Sequence, residues 1–180
     1  MEPMHPDKVT QDLIRSSIAE DVGTGDVTTK ALIPPELEGE ARLIARQELI
    51  VCGQPLIPYI MAEVSKSLSY KEMVPDGARV FDEAVIGKLT GKLADILVVE
   101  RTLLNFMQRL SGIATNTAKF AREVYPLEVK ILDTRKTTPG WRILEKYAVS
   151  VGGGFNHRFG LYDAVLIKNN HLDAVKGRSV

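Results

Sequence analysis

Residues 133–140 read D-T-R-K-T-T-P-G, residues 152–158 read G-G-G-F-N-H-R, and residues 163–171 read D-A-V-L-I-K-N-N-H. Short, largely apolar runs lie just before the first string, at 129–132 after Pro126, and inside the third, at 164–167. Both read as buried parallel strands, which are near-continuously apolar rather than alternating. Between them, 140–150 places Trp141, Leu144, Tyr147 and Ala148 at helical spacing, with Pro139 available near the helix start. A strand, a helix and a second strand predict a parallel α/β arrangement, in which chemistry gathers where strands end and loops begin. Arg135 and Lys136 then leave one strand end, Lys168 the other, and His157 and Arg158 follow the glycine cluster.

Six cationic or potentially cationic groups are therefore expected at a single mouth: Arg135, Lys136, His157, Arg158, Lys168 and His171. They would repel one another unless something anionic sat among them, so the economical reading is a pocket for a small polyanion. Arginine suits the flat fork of a carboxylate or phosphate, and lysine a point contact. The plainer alternative is a set of solvated charges with hydrogen-bonded structural histidines.

Lys and Arg together number 23, as do Asp and Glu, a balance that argues against a nucleic-acid binder. The chain of 180 residues, 44% hydrophobic and 26% charged, is globular in composition. Its one cysteine, Cys52, can make neither an internal disulfide nor a zinc site by itself, which points to a reducing cytoplasm. Set in L-I-V-C-G, that cysteine is a poor nucleophile candidate. No run approaches the roughly 20 apolar residues that span a bilayer, and residues 1–20 lack a secretory apolar region, so the chain reads as soluble.

Ahead of the charged strings, Val9, Leu13, Ile14 and Ile18 make a helical stripe over 7–21, and E-D-V-G-T-G-D-V-T-T at 20–29 reads as a tight loop rather than a dinucleotide signature. Short β-like pieces at 41–45, 48–52, 68–73 and 79–86, turns at Gly53 and Pro75-Asp76-Gly77, and a helix over 57–66 describe a small α+β domain. Helical texture returns at 93–109 and again after Ser111-Gly112 to about 124; that junction is the expected domain boundary, giving domains 1–112 and 113–180. The sequence shows no internal repeat.

The strings E-R-T-L-L-N-F-M-Q-R-L-S-G-I-A-T (100–115), D-T-R-K-T-T-P-G-W-R-I-L-E-K-Y-A-V (133–149) and 152–171, with the earlier glycine loop, resemble the quinolinate phosphoribosyltransferase family, the carboxylating nicotinate-nucleotide pyrophosphorylases, over about residues 10–174. The resemblance implies an N-terminal α/β sandwich domain followed by the first part of an incomplete, TIM-like α/β barrel, assembled as a homodimer. It implies a pentosyltransferase that joins quinolinate to phosphoribosyl pyrophosphate in NAD biosynthesis, releasing pyrophosphate and carbon dioxide. Arg135, His157, Arg158 and Lys168 would hold the quinolinate carboxylates. Lys136 and His171 would face phosphoribosyl pyrophosphate, with Lys136 and Lys168 as the catalytic cations. Arg101, in E-R-T-L-L-N, would reach across the dimer interface into the neighbouring site; its plainer reading is a surface helix charge.

Mg²⁺ is implied as cofactor, with its ligands expected beyond Val180, because a closed barrel takes about 250 residues and 113–180 offers two or three strands. The chain is thus expected to be a shortened form that does not turn over quinolinate alone. Two other readings remain open: a molybdenum-transport-associated relative of the family, and a non-catalytic anion-binding or assembly module.

Overall fold

A single helix, α4 (Leu93–Glu123), is the axle of the molecule in the computed structural model, which describes residues 4–177. Along it Ile96, Val99, Leu103, Phe106, Leu110 and Ala114 recur at three- and four-residue spacing and are buried, so one stripe of the helix forms the floor of the core. Fully burying side chains of this size contributes about 1.5–3 kcal/mol each before entropy is counted.

The two helices expected at 93–109 and from after Ser111-Gly112 to about 124 are therefore one. Gly112 weakens a helix by about 0.5–1 kcal/mol relative to alanine, which is small beside the burial of Leu110 and Ala114 on either side. Ser111, the other presumed breaker, turns inward: its Oγ accepts from the Cys52 amide at 3.0 Å and donates to the Cys52 carbonyl at 3.2 Å.

Two aspartates start the helices ahead of α4. Asp7 accepts from the Thr10 amide at 2.8 Å to begin α1 (Lys8–Val22), and Asp26 accepts from the Thr29 amide at 2.9 Å to begin α2 (Val27–Leu32). The glycine loop between them turns as expected, with Gly23 and Gly25 at φ of 51° and 120°, conformations that suit residues without a Cβ. The short helix that follows was not foreseen. Of the predicted stripe, Ile14 is buried while Val9 faces solvent.

Strands β1 (Glu38–Ile44), β3 (Ser69–Glu72) and β5 (Val85–Lys92) form an antiparallel sheet in the order β1-β5-β3, and the pair β2 (Leu49–Ile50) and β4 (Arg79–Val80) makes a second ribbon. The single strand expected over 79–86 is split, because the chain turns at Glu83, whose φ is 65°. The predicted helix over 57–66 is α3 (Ile57–Val64), entered through a 3-10 turn at Gln54–Leu56.

Beyond α4 the chain forms α5 (Arg142–Val151) and α6 (Asn169–Ala174). Neither expected parallel strand is present as a strand. Residues 129–132 contribute a single parallel bridge, Leu132 to Phe155, and residues 164–167 none. The physical reason is burial: a parallel strand is stable when both faces are covered, and here Val129 is 53% and Val165 90% exposed. Lys130, inside the first run, lies over the Phe155 ring at 5.2 Å instead of interrupting a buried face.

Candidate active site

The segments 131–133 and 155–157 run side by side: Phe155 donates to the Ile131 carbonyl at 2.8 Å and Asp133 to the Phe155 carbonyl at 3.1 Å. Asp133 Oδ1 then accepts from the His157 amide at 2.8 Å. The same oxygen meets Lys146 Nζ at 2.5 Å, and that ammonium also donates to the His157 carbonyl at 2.8 Å. Both side chains are buried, at 1% exposure for Lys146 and 7% for Asp133. Asn156 completes the set in the amide orientation that satisfies its neighbours: its nitrogen donates to Asp133 Oδ2 at 2.8 Å and to the Lys146 carbonyl at 2.9 Å.

α5 is pinned to α4 through Trp141. Its ring stacks on Phe106 with centroids 4.8 Å apart, and the Arg109 guanidinium lies over it at 4.9 Å. Arg109 also pairs with Glu145 at 2.5 Å and hydrogen-bonds Thr138 in the T-T-P turn. Arg142 spans the two loops, donating to Thr137 Oγ1 at 3.2 Å and to the Phe159 carbonyl at 3.1 Å.

On its other side α5 is tied to the strand-rich half. The Tyr147 hydroxyl donates to Asp76 Oδ2 at 2.8 Å, and Asp76 accepts from the Gly53 and Gln54 amides at 2.8 and 3.0 Å. Burial, then the neighbouring Asp76 carboxylate, pushes the Tyr147 phenol up, so it stays a donor across the physiological range. Burial likewise raises the Cys52 thiol, in keeping with a core residue and not a nucleophile.

The expected single mouth is divided. Arg158, Lys168 and His171 share one open cleft of about 570 Å³. Lys136 lies in another, of about 490 Å³, with Arg109, Thr138 and Glu145. Residues 164–167 form no strand, so Lys168 and His171 stand on an exposed segment, and Arg135 and His157 line neither of these two clefts. Carboxylates also sit among the cations. Asp163 accepts from the Phe159 and Gly160 amides at 2.7 and 2.8 Å, and those bonds hold its carboxyl below the usual carboxylate range, with Arg158 adding to the effect.

Arg135 and Arg158 carry the most informative atoms. The Nε of each is shielded from solvent and has no hydrogen-bond partner among the described residues. Arg158 spends Nη1 on the Ala164 carbonyl at 3.0 Å. His157 accepts at Nδ1 from the Arg158 amide at 2.7 Å, so the neutral ring carries its proton on Nε2. His171 does the same for the Lys168 amide at 3.0 Å, at the start of α6. Arg101 is exposed, and eight residues separate it from Arg109, about 12 Å along α4; among the described residues nothing brings it to either cleft.

Sequence reasoning missed Asp133, Lys146 and Asn156. The signal was present only in part: Lys146 stands in a helix whose stripe was read from Leu144 and Ala148, and it points about 200° away from Leu144.

A mixed α/β fold that carries two shielded arginine Nε–H groups without a partner among the described residues has donors available for an anion. Residues 26–111 match the quinolinate phosphoribosyl transferase N-terminal domain, and residues 113–179 the C-terminal domain. The chain belongs to the quinolinate phosphoribosyltransferase family. It is 46% identical over 178 residues to a Nicotiana tabacum protein named quinolinate phosphoribosyltransferase [decarboxylating] 1b, covering 98% of this chain and 50% of that one. Against a probable nicotinate-nucleotide pyrophosphorylase [carboxylating] of Bacillus subtilis it is 45% identical over 165 residues, with 90% and 56% covered. The solved nicotinate-nucleotide pyrophosphorylase of Francisella tularensis superposes with a TM-score of 0.90 at 42% identity, covering 97% of this chain and 62% of that one. The chain spans about half the length of the curated relatives it matches. No helix among the described residues is long and apolar enough to cross a membrane.

Proposed function

We propose that this chain supplies the quinolinate-holding cations of a quinolinate phosphoribosyltransferase, which converts quinolinate and phosphoribosyl pyrophosphate into nicotinate mononucleotide, pyrophosphate and carbon dioxide. The observation that carries the reading is the pair of shielded, unpartnered Nε–H groups on Arg135 and Arg158. A buried donor without an acceptor costs about 1–3 kcal/mol, and a substrate carboxylate would remove that penalty while forming charge-assisted bonds. His157, with Nε2 free to donate, and Lys168 complete the carboxylate set. Lys136 and His171 face the phosphoribosyl pyrophosphate.

In the chemistry, the pyridine nitrogen lone pair attacks the anomeric carbon as its bond to pyrophosphate breaks, and the bonding pair leaves with the pyrophosphate. Lys136 and Lys168 stabilise charge where it develops. The ring nitrogen is then cationic and accepts electrons as the bond to the adjacent carboxylate breaks. Carbon dioxide departs and the ring carbon takes up a proton.

Quinolinate brings two carboxylates, and two arginines are available to fork them. Mg²⁺, where it takes part, would offset the negative charge of the leaving pyrophosphate. Among the described residues no three His, Cys, Asp or Glu side chains converge on a metal position, so no step is routed through a metal held by them. A second reading is that the chain binds the anion without turnover. The family's barrel architecture, the division into domains 1–112 and 113–180, a homodimer with Arg101 acting across it, and a cytoplasmic setting suited to reduced Cys52 belong to the proposal.

Calorimetric titration tests the first step. Quinolinate should bind at least about tenfold more tightly than nicotinate, since loss of one charge-assisted carboxylate contact costs 1.4 kcal/mol or more. Equal affinities, or no binding, would overturn the assignment. A parallel assay for nicotinate mononucleotide separates the enzyme from the binding module.

A further inference from the structure

Lys146 is a charged side chain at 1% exposure, placed between the two loops that carry Arg135 and Arg158. Main-chain bonding between those loops ends at Asp133 and Phe155; among the described residues no backbone hydrogen bond joins 134–140 to 157–163. Side chains continue the ladder from there. Lys146 Nζ bridges the Asp133 carboxylate at 2.5 Å and the His157 carbonyl at 2.8 Å, and Asp133 takes the His157 amide at 2.8 Å. The Phe159 ring covers the ammonium, 4.8 Å from its centroid.

We infer that the Asp133–Lys146 pair is a positioning latch: it fixes the spacing between Arg135 and the His157–Arg158 pair, and affinity for a dicarboxylate depends on it. The inference rests on the quinolinate reading proposed above. A buried ion pair is a poor source of stability, because apolar replacements of similar volume are often neutral or better. A pair buried between two anion-binding loops, and bonded to both, is better explained by geometry. Asp133 lies two residues before Arg135, and His157 immediately before Arg158, so little slack separates the latch from either guanidinium. Lys146 and Asp133 touch no substrate in this account; they act through the arginines.

The test compares quinolinate affinity and melting temperature in the parent chain, Arg135→Ala, Lys146→Met and the double variant Asp133→Asn/Lys146→Met. Misplacing a binding group by about 1 Å can cost a factor of 10², so Lys146→Met should lose at least about tenfold in affinity. Neutralising both partners removes the stranded carboxylate, so the double variant should regain most of the melting temperature while its affinity stays low. A merely structural pair predicts the opposite: affinity returning with stability to within about threefold of the parent would overturn the latch. If Arg135→Ala loses affinity and both Lys146 variants keep it, the latch alone falls. If the parent binds no quinolinate, or Arg135→Ala binds as the parent does, the site reading falls and the latch with it.

Discussion

Alanine in place of Arg135 or Arg158 is expected to weaken quinolinate binding by about 2–5 kcal/mol, roughly 30- to 5,000-fold, the usual loss when a charge-assisted contact in a shielded site is removed. The magnitude follows from where these side chains stand. Each already has an Nε–H withdrawn from water with no protein acceptor among the described residues, so the bound carboxylate faces a donor that has nothing to give up. Lysine at either position should recover little, because an ammonium cannot reproduce the two parallel bonds of a guanidinium fork. Arg142 is a useful control. Its guanidinium is committed to Thr137 and to the Phe159 carbonyl, so any effect of Arg142→Lys acts through loop spacing and not through a lost carboxylate contact. Calorimetry or a KM series on each variant checks the ranking; alanine variants within about threefold of the parent would remove the pocket.

The second large effect concerns Arg101. It is exposed on α4 and lines neither cleft among the described residues, so a role in its own chain's clefts has no geometric support. If it acts across a dimer interface, as proposed, Arg101→Ala and Arg135→Ala subunits should each be nearly inactive in an assembly that turns over, while a mixture of the two restores part of the activity. One composite site in such a heterodimer carries both defects and the other carries neither. The heterodimer should therefore approach half of the parent rate, and verified heterodimers with no recovery would place Arg101 outside the partner's site.

Much of the fold could be read from periodicity. The stripe that makes α4 an axle is visible in Ile96, Leu103 and Met107, and α5 in Leu144 and Ala148, because one-sided burial leaves a 3.6-residue signature. Where burial comes from two sides, that signature fails. Lys146 lies off the stripe because it stands opposite Leu144, yet its face is covered by the loops at 133 and 157. The glycine at 112 looked like a helix end because propensity is local, while the packing of Leu110 and Ala114 is not. The runs at 129–132 and 164–167 had strand composition, but composition cannot supply the neighbours a parallel strand needs. Among the residues proposed for the site, Arg135, His157 and Arg158 stand out in the sequence by their place after an apolar run and a glycine cluster. Asp133 was not, because an aspartate at a strand end reads equally well as a cap or a turn.

The central claim is that the unpaired Nε–H groups of Arg135 and Arg158 are the contacts that receive quinolinate. Arginine Nε–H resonances report it directly in ¹⁵N-labelled protein titrated with quinolinate. On this account the Arg135 and Arg158 signals move together with saturation, while that of Arg142, whose Nε–H already donates to Thr137 Oγ1, stays where it was. Unmoved Arg135 and Arg158 signals at saturating quinolinate, or a response confined to Arg142, would contradict it.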